Sequence, residues 1–233
     1  MDAWSSSAPI GRTRTAEFMA GVYRWMSFGL ALTGLTAWAT ANTSLLSAFY
    51  LVQDGHVVGV TGLYWAAIVA ELALVFMFAS VVQRVSLPAG VAMFLSYAAL
   101  SGVTLAAVAF YYTGASIAST FFVTGGAFLG LSLYATTTKH DLSGMRTFLL
   151  VGLIGLVLGG IVNLFLRNSA MEFVLSCAGV LVFAGLTAYD TQRIRAMAET
   201  GDDRHALLGA LALYLDFINL FLYLLRFFGR RRD

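Results

Sequence analysis

The sequence has little charge and a single cysteine, and both shortages restrict what the protein can be. Asp, Glu, Lys and Arg make up 11% of the 233 residues, whereas 59% of the residues are hydrophobic. A soluble domain of this size needs more charge on its surface, so we predict an integral membrane protein. Cys177 lies inside an apolar segment and has no second cysteine to pair with, which excludes an intramolecular disulfide.

Lysine and histidine are also scarce, which excludes several kinds of membrane site. Lys139 is the only lysine and lies in a predicted loop, so no helix offers a lysine for a retinal-type Schiff base. The histidines lie in loops or at a segment edge, which argues against a His-Glu-x-x-His zinc site and a rhomboid-type Ser/His site. Since no basic domain is present either, we expect no nucleic-acid partner and no permanently bound cofactor.

The sequence does contain seven apolar segments, each close to the ~20 residues that a helix needs to cross a bilayer. They lie at about 22–41, 62–82, 90–111, 116–137, 147–166, 171–193 and 207–228. The connections between them are short, so we predict a single polytopic membrane domain over 1–233, an all-α bundle of seven transmembrane helices. The polar N-terminal segment 1–21 lacks the apolar core of a cleaved signal peptide.

The basic residues predict that the N-terminus faces the cytoplasm. With that orientation the outer loops carry only Arg167, and the inner side carries Arg12, Arg14, Arg24, Arg84, Lys139, Arg146, Arg193, Arg195 and Arg204. Arginine far exceeds lysine and no ER-retention tail is present, which favours a bacterial inner membrane. The basic tail 230–232 does not fit seven complete crossings. Either the last segment does not fully cross, or it is a central helix shielded by the others, or the tail is tolerated outside. Our fold prediction uses a central C-terminal helix.

Two aspartates, Asp190 and Asp216, lie inside segments that are otherwise apolar. A carboxylate in hydrocarbon is costly and is usually retained for a function. Between the two segments runs RAMAETGDDRHA, where Gly201 fits a helix stop and Asp202 or Asp203 fits the N-cap of the next helix. In an antiparallel hairpin that turns near Asp202, the two aspartates differ in height by only about 3 Å. They can therefore meet if both face the bundle interior.

Paired carboxylates in a low dielectric cannot both be ionised at low cost, so we expect Asp190 and Asp216 to share a proton and to titrate in coupled steps. Such a pair senses pH, and it can also hold a hard cation such as Ca²⁺ in competition with the proton. An alternative for Asp190 alone is an ion pair with Arg193, three residues further on, at the inner interface. Asp216 has no such neighbour, because the nearest basic residue along the chain is Arg226.

Further charged residues extend this region. Glu71 lies near the middle of the second segment and Arg226 toward the outer end of the seventh, which makes them candidates for an ion path or a latch. Glu71 and the two aspartates together describe a polar trail from the outer half of the membrane to its inner face. Arg84, at the inner end of the second segment, is either an interfacial anchor or a partner within reach of Asp190.

These residues also resemble the motifs of a known family. LALYLDFINLFLYLLRFFG with its basic tail is similar to the C-terminal signature of the transmembrane Bax inhibitor motif family (Bax inhibitor-1 family), bacterial branch. AYDTQRI resembles the motif that ends the family's sixth helix, and VAELALVFM resembles its acidic second helix. The resemblance implies a pH-sensing dyad of Asp190 and Asp216 that governs a Ca²⁺ leak. It also implies that Glu71 and Arg226 are the family's second-helix acid and last-helix arginine. Some bacterial members have an arginine near the inner end of the second helix that pairs with the first aspartate, and Arg84 lies close to that motif position in the sequence.

Three functions are compatible with these patterns. The first is a pH-sensitive cation (Ca²⁺) leak channel gated by the aspartate pair, with the lipid bilayer, Ca²⁺ and protons as its partners. The second, which the resemblance implies, is a membrane regulatory protein that modulates cell death or a membrane protease. The third is an intramembrane aspartyl protease, because Tyr189 and Asp190 fit the pattern of such enzymes. Asp216, however, lies in LYLDF rather than after Gly-x-Gly, so we do not expect an enzyme.

Overall fold

A computed structural model describes residues 8–54 and 56–232, and most of these residues are helical. Residues 1–7 of the predicted polar N-terminal segment lie outside the described residues. The first elements are α1 (Ala8–Asn42), α2 (Leu45–Phe49), β1 (Tyr50–Gln53), β2 (His56–Val60), α3 (Gly62–Val81), α4 (Leu87–Leu105) and α5 (Val108–Tyr111). After them come α6 (Gly114–Thr137), a 3-10 turn (Ser143–Met145), α7 (Arg146–Leu166), α8 (Ser169–Met197) and α9 (Asp203–Phe228).

Within the described residues, 6 helical stretches are long and apolar enough to cross a membrane. They are Gly62–Val81, Leu87–Tyr111, Gly114–Thr137, Ser143–Leu166, Ser169–Met197 and Asp203–Phe228, and they match the second to seventh predicted segments. The first predicted segment, 22–41, lies inside the longer α1, where threonines and glycines are interspersed with the apolar residues. The predicted all-α membrane architecture is therefore confirmed at the level of 6 candidate spans.

The turn between α8 and α9 follows the local signals in the sequence. The Asp202 carboxylate accepts hydrogen bonds from the backbone N–H groups of Arg204 at 3.0 Å and His205 at 3.2 Å. Asp202 is therefore the N-cap of α9, as predicted. The Gly201 N–H donates to the Met197 backbone oxygen at 2.7 Å, which ends α8.

The chain forms two compact units, and α9 contributes to both. The first unit contains the described residues up to Tyr112 together with Met197–Tyr214 and Arg232. The second unit contains Thr113–Ala196 and Leu215–Arg231. Each unit is held together by its own contacts.

In the first unit, α1 lies directly against α4. A Cβ atom on Gly102 would overlap the Thr36 hydroxyl and the Thr33 backbone oxygen, so only glycine permits this close approach. The Thr33 hydroxyl also lies 2.7 Å from the Tyr214 hydroxyl, which connects α1 to the first half of α9. Polar groups thus help to hold these helices together in an apolar surrounding.

A short hairpin that we did not predict joins α2 to α3 in this unit. Its strands β1 and β2 are antiparallel, with Tyr50 opposite Val60. The Tyr50 hydroxyl donates to the backbone oxygens of Val103 and Thr104 at 2.8 and 2.7 Å, which fixes the start of the hairpin on α4.

In the second unit, α7, α8 and the second half of α9 share an apolar core. Its buried members are Leu156, Val182, Phe183, Leu220 and Leu224. Tyr223 stacks on Phe183 with the ring centres 5.7 Å apart. A Cβ atom on Gly179 would overlap the Tyr223 ring, so this glycine lets the ring lie directly on α8. These contacts determine how α8 and α9 are aligned.

Candidate functional site

The alignment of α8 with α9 determines the position of the two membrane aspartates. Asp190 follows Phe183 by seven residues on α8, and Asp216 precedes Tyr223 by seven residues on α9. Seven residues are about two helical turns, so each aspartate lies near the face that carries its aromatic neighbour. Because the two rings stack and the helices form a hairpin, the aspartates lie at one depth in the second unit.

Both carboxyl groups lie in a largely buried environment of the second unit. Asp216 is 4% exposed, and the Asp190 side chain is 15% exposed. Oδ2 of Asp216 is buried and has no hydrogen-bond partner in the described part of the chain. A buried carboxylate oxygen without a donor carries a desolvation cost, which a proton or a cation at this oxygen would reduce.

Arg193 provides the ion pair that we considered as an alternative for Asp190. Its Nη1 atom lies 3.8 Å from Oδ1 of Asp190, which is too long for a hydrogen bond, and its side chain is 58% exposed. Solvent screens such a contact, and we expect it to contribute less than about 1 kcal/mol. Asp190 therefore faces both Arg193 on its own helix and Asp216 on α9.

The described residues around Asp190 and Asp216 offer few ligands for a permanently bound metal ion. Among the described residues, no three His, Cys, Asp or Glu side chains come together as a metal site. Ca²⁺ takes about 6–8 oxygen ligands, so two carboxylates hold it only with the help of water or hydroxyl oxygens.

A row of buried hydroxyl groups on α6 escaped the sequence analysis. Its members are Ser116, Thr120, Thr124 and Ser132. Members four residues apart are neighbours on the helix surface, so the row follows a ridge that winds around the helix. Oγ of Ser132 lies 3.4 Å from Oγ1 of Thr191, the residue after Asp190 on α8. The regular spacing of Ser and Thr in an apolar segment was the signal that could have identified this row.

Aromatic side chains lie next to Asp216. Phe217 contacts Phe121 and Phe128 of α6, with ring centres 5.4 and 5.6 Å apart. Phe128 is buried and interrupts the hydroxyl row of α6. The second unit thus combines a line of polar groups with an apolar block beside the aspartate.

The other predicted site residues each have a local environment of their own. Oε1 of Glu71 accepts a hydrogen bond from the Thr104 hydroxyl at 2.8 Å in the first unit. The Arg226 guanidinium lies 5.4 Å from the centre of the Tyr223 ring in the second unit, a cation–π contact. Arg84 is exposed in the turn after α3. The roles predicted for these three residues stay predictions.

Comparison with known proteins gives matches over nearly the whole chain. A family model described as "Inhibitor of apoptosis-promoting Bax1" matches residues 15–233. The inner membrane protein YbhL of Escherichia coli (strain K12) is 44% identical over an alignment of 241 residues, which covers 100% of both chains. An uncharacterized protein of Caulobacter vibrioides is 42% identical over 224 residues, or 93% of this chain and 90% of its own. An uncharacterized protein of Deinococcus radiodurans is 41% identical over 236 residues, or 99% and 96%.

Proposed function

The chain belongs to the Bax inhibitor-1 family, and on this premise we propose that it is a pH-sensitive cation leak channel with Ca²⁺ as the permeant ion, gated by Asp190 and Asp216. The observation that carries the proposal is the buried pair of carboxyl groups, in which Oδ2 of Asp216 has no donor among the described residues. A proton shared by the pair, or a cation beside it, removes part of the charge on these oxygens.

The proposal places seven helices across a bacterial inner membrane, with residues 22–41 of α1 as the first. The name of YbhL, an inner membrane protein, supports this location. The distribution of basic residues supports a cytoplasmic N-terminus. The last span is 61% buried, against 11% to 39% for the other candidate spans, which supports a central C-terminal helix.

In the closed state, we propose that the contact of Phe217 with Phe121 and Phe128 blocks the path while the aspartate pair holds a proton. Loss of that proton leaves two like charges in a low dielectric, where they repel strongly. The repulsion moves the second half of α9 and separates Phe217 from α6. The hydroxyl row of α6 then becomes accessible to hydrated ions, since an apolar constriction gates by excluding water.

Three charged residues have supporting roles in this proposal. Glu71 attracts the cation along the path, and Arg226 acts as a latch on the last helix. Arg84 pairs with Asp190 once the proton has left, and so stabilises the open state. These assignments rest on the family resemblance. The aspartate pair carries out no chemical reaction in this scheme.

Ca²⁺ flux into proteoliposomes, measured at several pH values on either side of neutrality, tests the proposal. The wild-type protein should leak more Ca²⁺ as the pH rises. Asp216→Asn and Asp190→Asn should each remove this pH dependence, because a single carboxyl group has no partner with which to share a proton. Asp203→Asn changes an exposed acid at the start of α9 and should behave like the wild type.

Two results would contradict the proposal. Flux and pH dependence that stay unchanged in both pair variants would exclude a gating role of the carboxyl groups. Purified protein that conducts no Ca²⁺, combined with a stoichiometric protein partner in native membranes, would favour the regulatory function instead.

A further inference from the structure

An open cavity of about 460 Å³, lined mainly by polar and charged residues, lies in the second unit between the loop 138–143 and the end of α8. The loop connects the candidate spans Gly114–Thr137 and Ser143–Leu166, so the cavity lies where these helices leave the membrane. Lipid headgroups occupy this depth of a bilayer. A ligand site at this depth would meet the polar part of the lipid rather than its acyl chains.

The walls of this cavity are fixed by hydrogen bonds and by a buried side chain. The Gln192 side chain accepts from the Leu142 N–H at 2.8 Å and donates to the His140 backbone oxygen at 2.9 Å. Leu142 is buried with Ala135 and Ala188. A cavity whose walls are already ordered loses less free energy when a ligand binds.

The lining carries charges of both signs. Lys139 is exposed and has no carboxylate within ion-pair distance in the described chain. Among the same described residues, the only carboxylate near the Arg193 guanidinium is that of Asp190, at 3.8 Å. The Asp141 carboxylate accepts hydrogen bonds from the N–H and the hydroxyl of Ser143, both at 2.8 Å. These bonds hold the pKa of Asp141 below its usual range, so it is ionised at neutral pH.

We propose that this cavity binds the headgroup of a phospholipid that carries both a phosphate and a primary ammonium. The phosphate is a ligand for Lys139 and Arg193. The ammonium is a ligand for Asp141, which repels a headgroup that carries only negative charge. Leu133 at the end of α6 and Phe148 at the start of α7 are 64% and 70% exposed, and they offer apolar surface to the acyl chains. This surface favours a lipid over a soluble phosphate compound.

Headgroup binding has a consequence for the aspartate pair through Arg193. In the second unit Asp190 faces two charged groups, Arg193 on its own helix and Asp216 on α9. A bound phosphate competes with Asp190 for the guanidinium, which removes a contact that favours the ionised carboxylate. Occupancy should therefore shift channel opening to higher pH. This consequence rests on the proposed channel function, whereas headgroup binding does not.

Titrations of the detergent-solubilised protein test the site directly. The probes are short-chain phosphatidylethanolamine, short-chain phosphatidylglycerol, soluble phosphoethanolamine and inorganic phosphate. We expect saturable binding that is tightest for phosphatidylethanolamine. Lys139→Gln should weaken that binding about tenfold, because it removes a charged hydrogen bond. Asp141→Asn should remove the preference over phosphatidylglycerol. Arg146→Gln, at an exposed arginine outside the cavity lining, should bind like the wild type.

The same titrations can overturn the proposal. Equal affinity of Lys139→Gln and the wild type for phosphatidylethanolamine, with both proteins folded by circular dichroism, excludes the site. Equal wild-type affinity for the two lipids excludes the role of Asp141. Equal affinity for inorganic phosphate or phosphoethanolamine excludes a lipid as the occupant. Ca²⁺ flux is measured separately, so normal headgroup binding without flux contradicts the channel and leaves the headgroup site standing.

Discussion

Replacement of Gly179 by alanine tests the alignment of α8 and α9 that brings the two aspartates to one depth. The new Cβ atom would lie closer to the Tyr223 ring than real Cβ atoms come to their neighbours. The ring has little freedom to move away, because it stacks on Phe183 and lies under the Arg226 guanidinium. The substitution therefore forces α8 and α9 apart or rotates Tyr223 out of its stack.

Two opposing terms set the expected size of the effect. Alanine stabilises a helix interior by up to about 1 kcal/mol relative to glycine. Overpacking of a filled contact costs about 1–3 kcal/mol, and the confined ring places Gly179→Ala toward the upper end. We therefore expect a net loss of about 2 kcal/mol. Gly126→Ala is the matched control on α6, since a Cβ atom there has no atom of the described residues within 4 Å.

Reversible unfolding in mixed detergent micelles measures both glycine variants. Gly126→Ala should be as stable as the wild type or slightly more stable, because only the helix-propensity term acts. Adding Tyr223→Leu to Gly179→Ala should restore part of the lost stability, as expected for residues in contact. If Gly179→Ala proves as stable as Gly126→Ala, the Tyr223 contact is wrong, and the alignment inferred from it fails too.

Three further substitutions address other parts of the structure. Phe217→Ala should raise the Ca²⁺ leak at acid pH in proteoliposomes, and an unchanged leak would contradict the apolar block. Asp202→Ala should cost about 1 kcal/mol in thermal unfolding at neutral pH, because it removes the α9 cap. Hydrogen bonds, first that with the His205 side chain, lower the pKa of Asp202. The contribution of Asp202 to folding stability is therefore fully present above the usual aspartate pKa. It is lost as the pH falls through the lowered pKa of the folded protein. Arg231→Gln breaks an exposed 2.9 Å ion pair with Glu172. It should cost less than about 1 kcal/mol, and less still in high salt.

The parts of the fold that depend on local signals could be predicted from the sequence. Asp202 caps α9 because the first turn of any helix has N–H groups without a helical partner, and a short carboxylate just before it can accept their hydrogen bonds. This contact does not depend on the rest of the fold. The depth of Asp190 and Asp216 also follows from local information, since the position of the turn and the helical rise are enough. Six of the seven apolar segments were identified for the same reason, because a membrane span is a property of consecutive residues.

Features that depend on contacts between distant residues could not be predicted in this way. Gln192 shapes the cavity by binding a loop 50 residues earlier in the chain, and nothing near Gln192 indicates this partner. The apolar block needs Phe217 to meet Phe128, which depends on how two helices rotate. Hydropathy averaged over a segment also hides the hydroxyl row of α6, because four Ser and Thr residues change the mean of a long apolar segment very little.

The direction of the proposed pH response follows from the charge on the aspartate pair. Oδ2 of Asp216 is buried and has no hydrogen-bond donor in the described residues, so its charge is reduced most effectively by a shared proton or by a cation. In our proposal, a proton and a cation therefore compete for the same oxygens of Asp190 and Asp216. Lowering the pH protonates a carboxylate of the pair. Protonation removes a ligand of the cation and also removes the repulsion between the two carboxylates. In the proposal both effects close the path in acid, so a leak that increased as the pH fell would exclude gating by this pair.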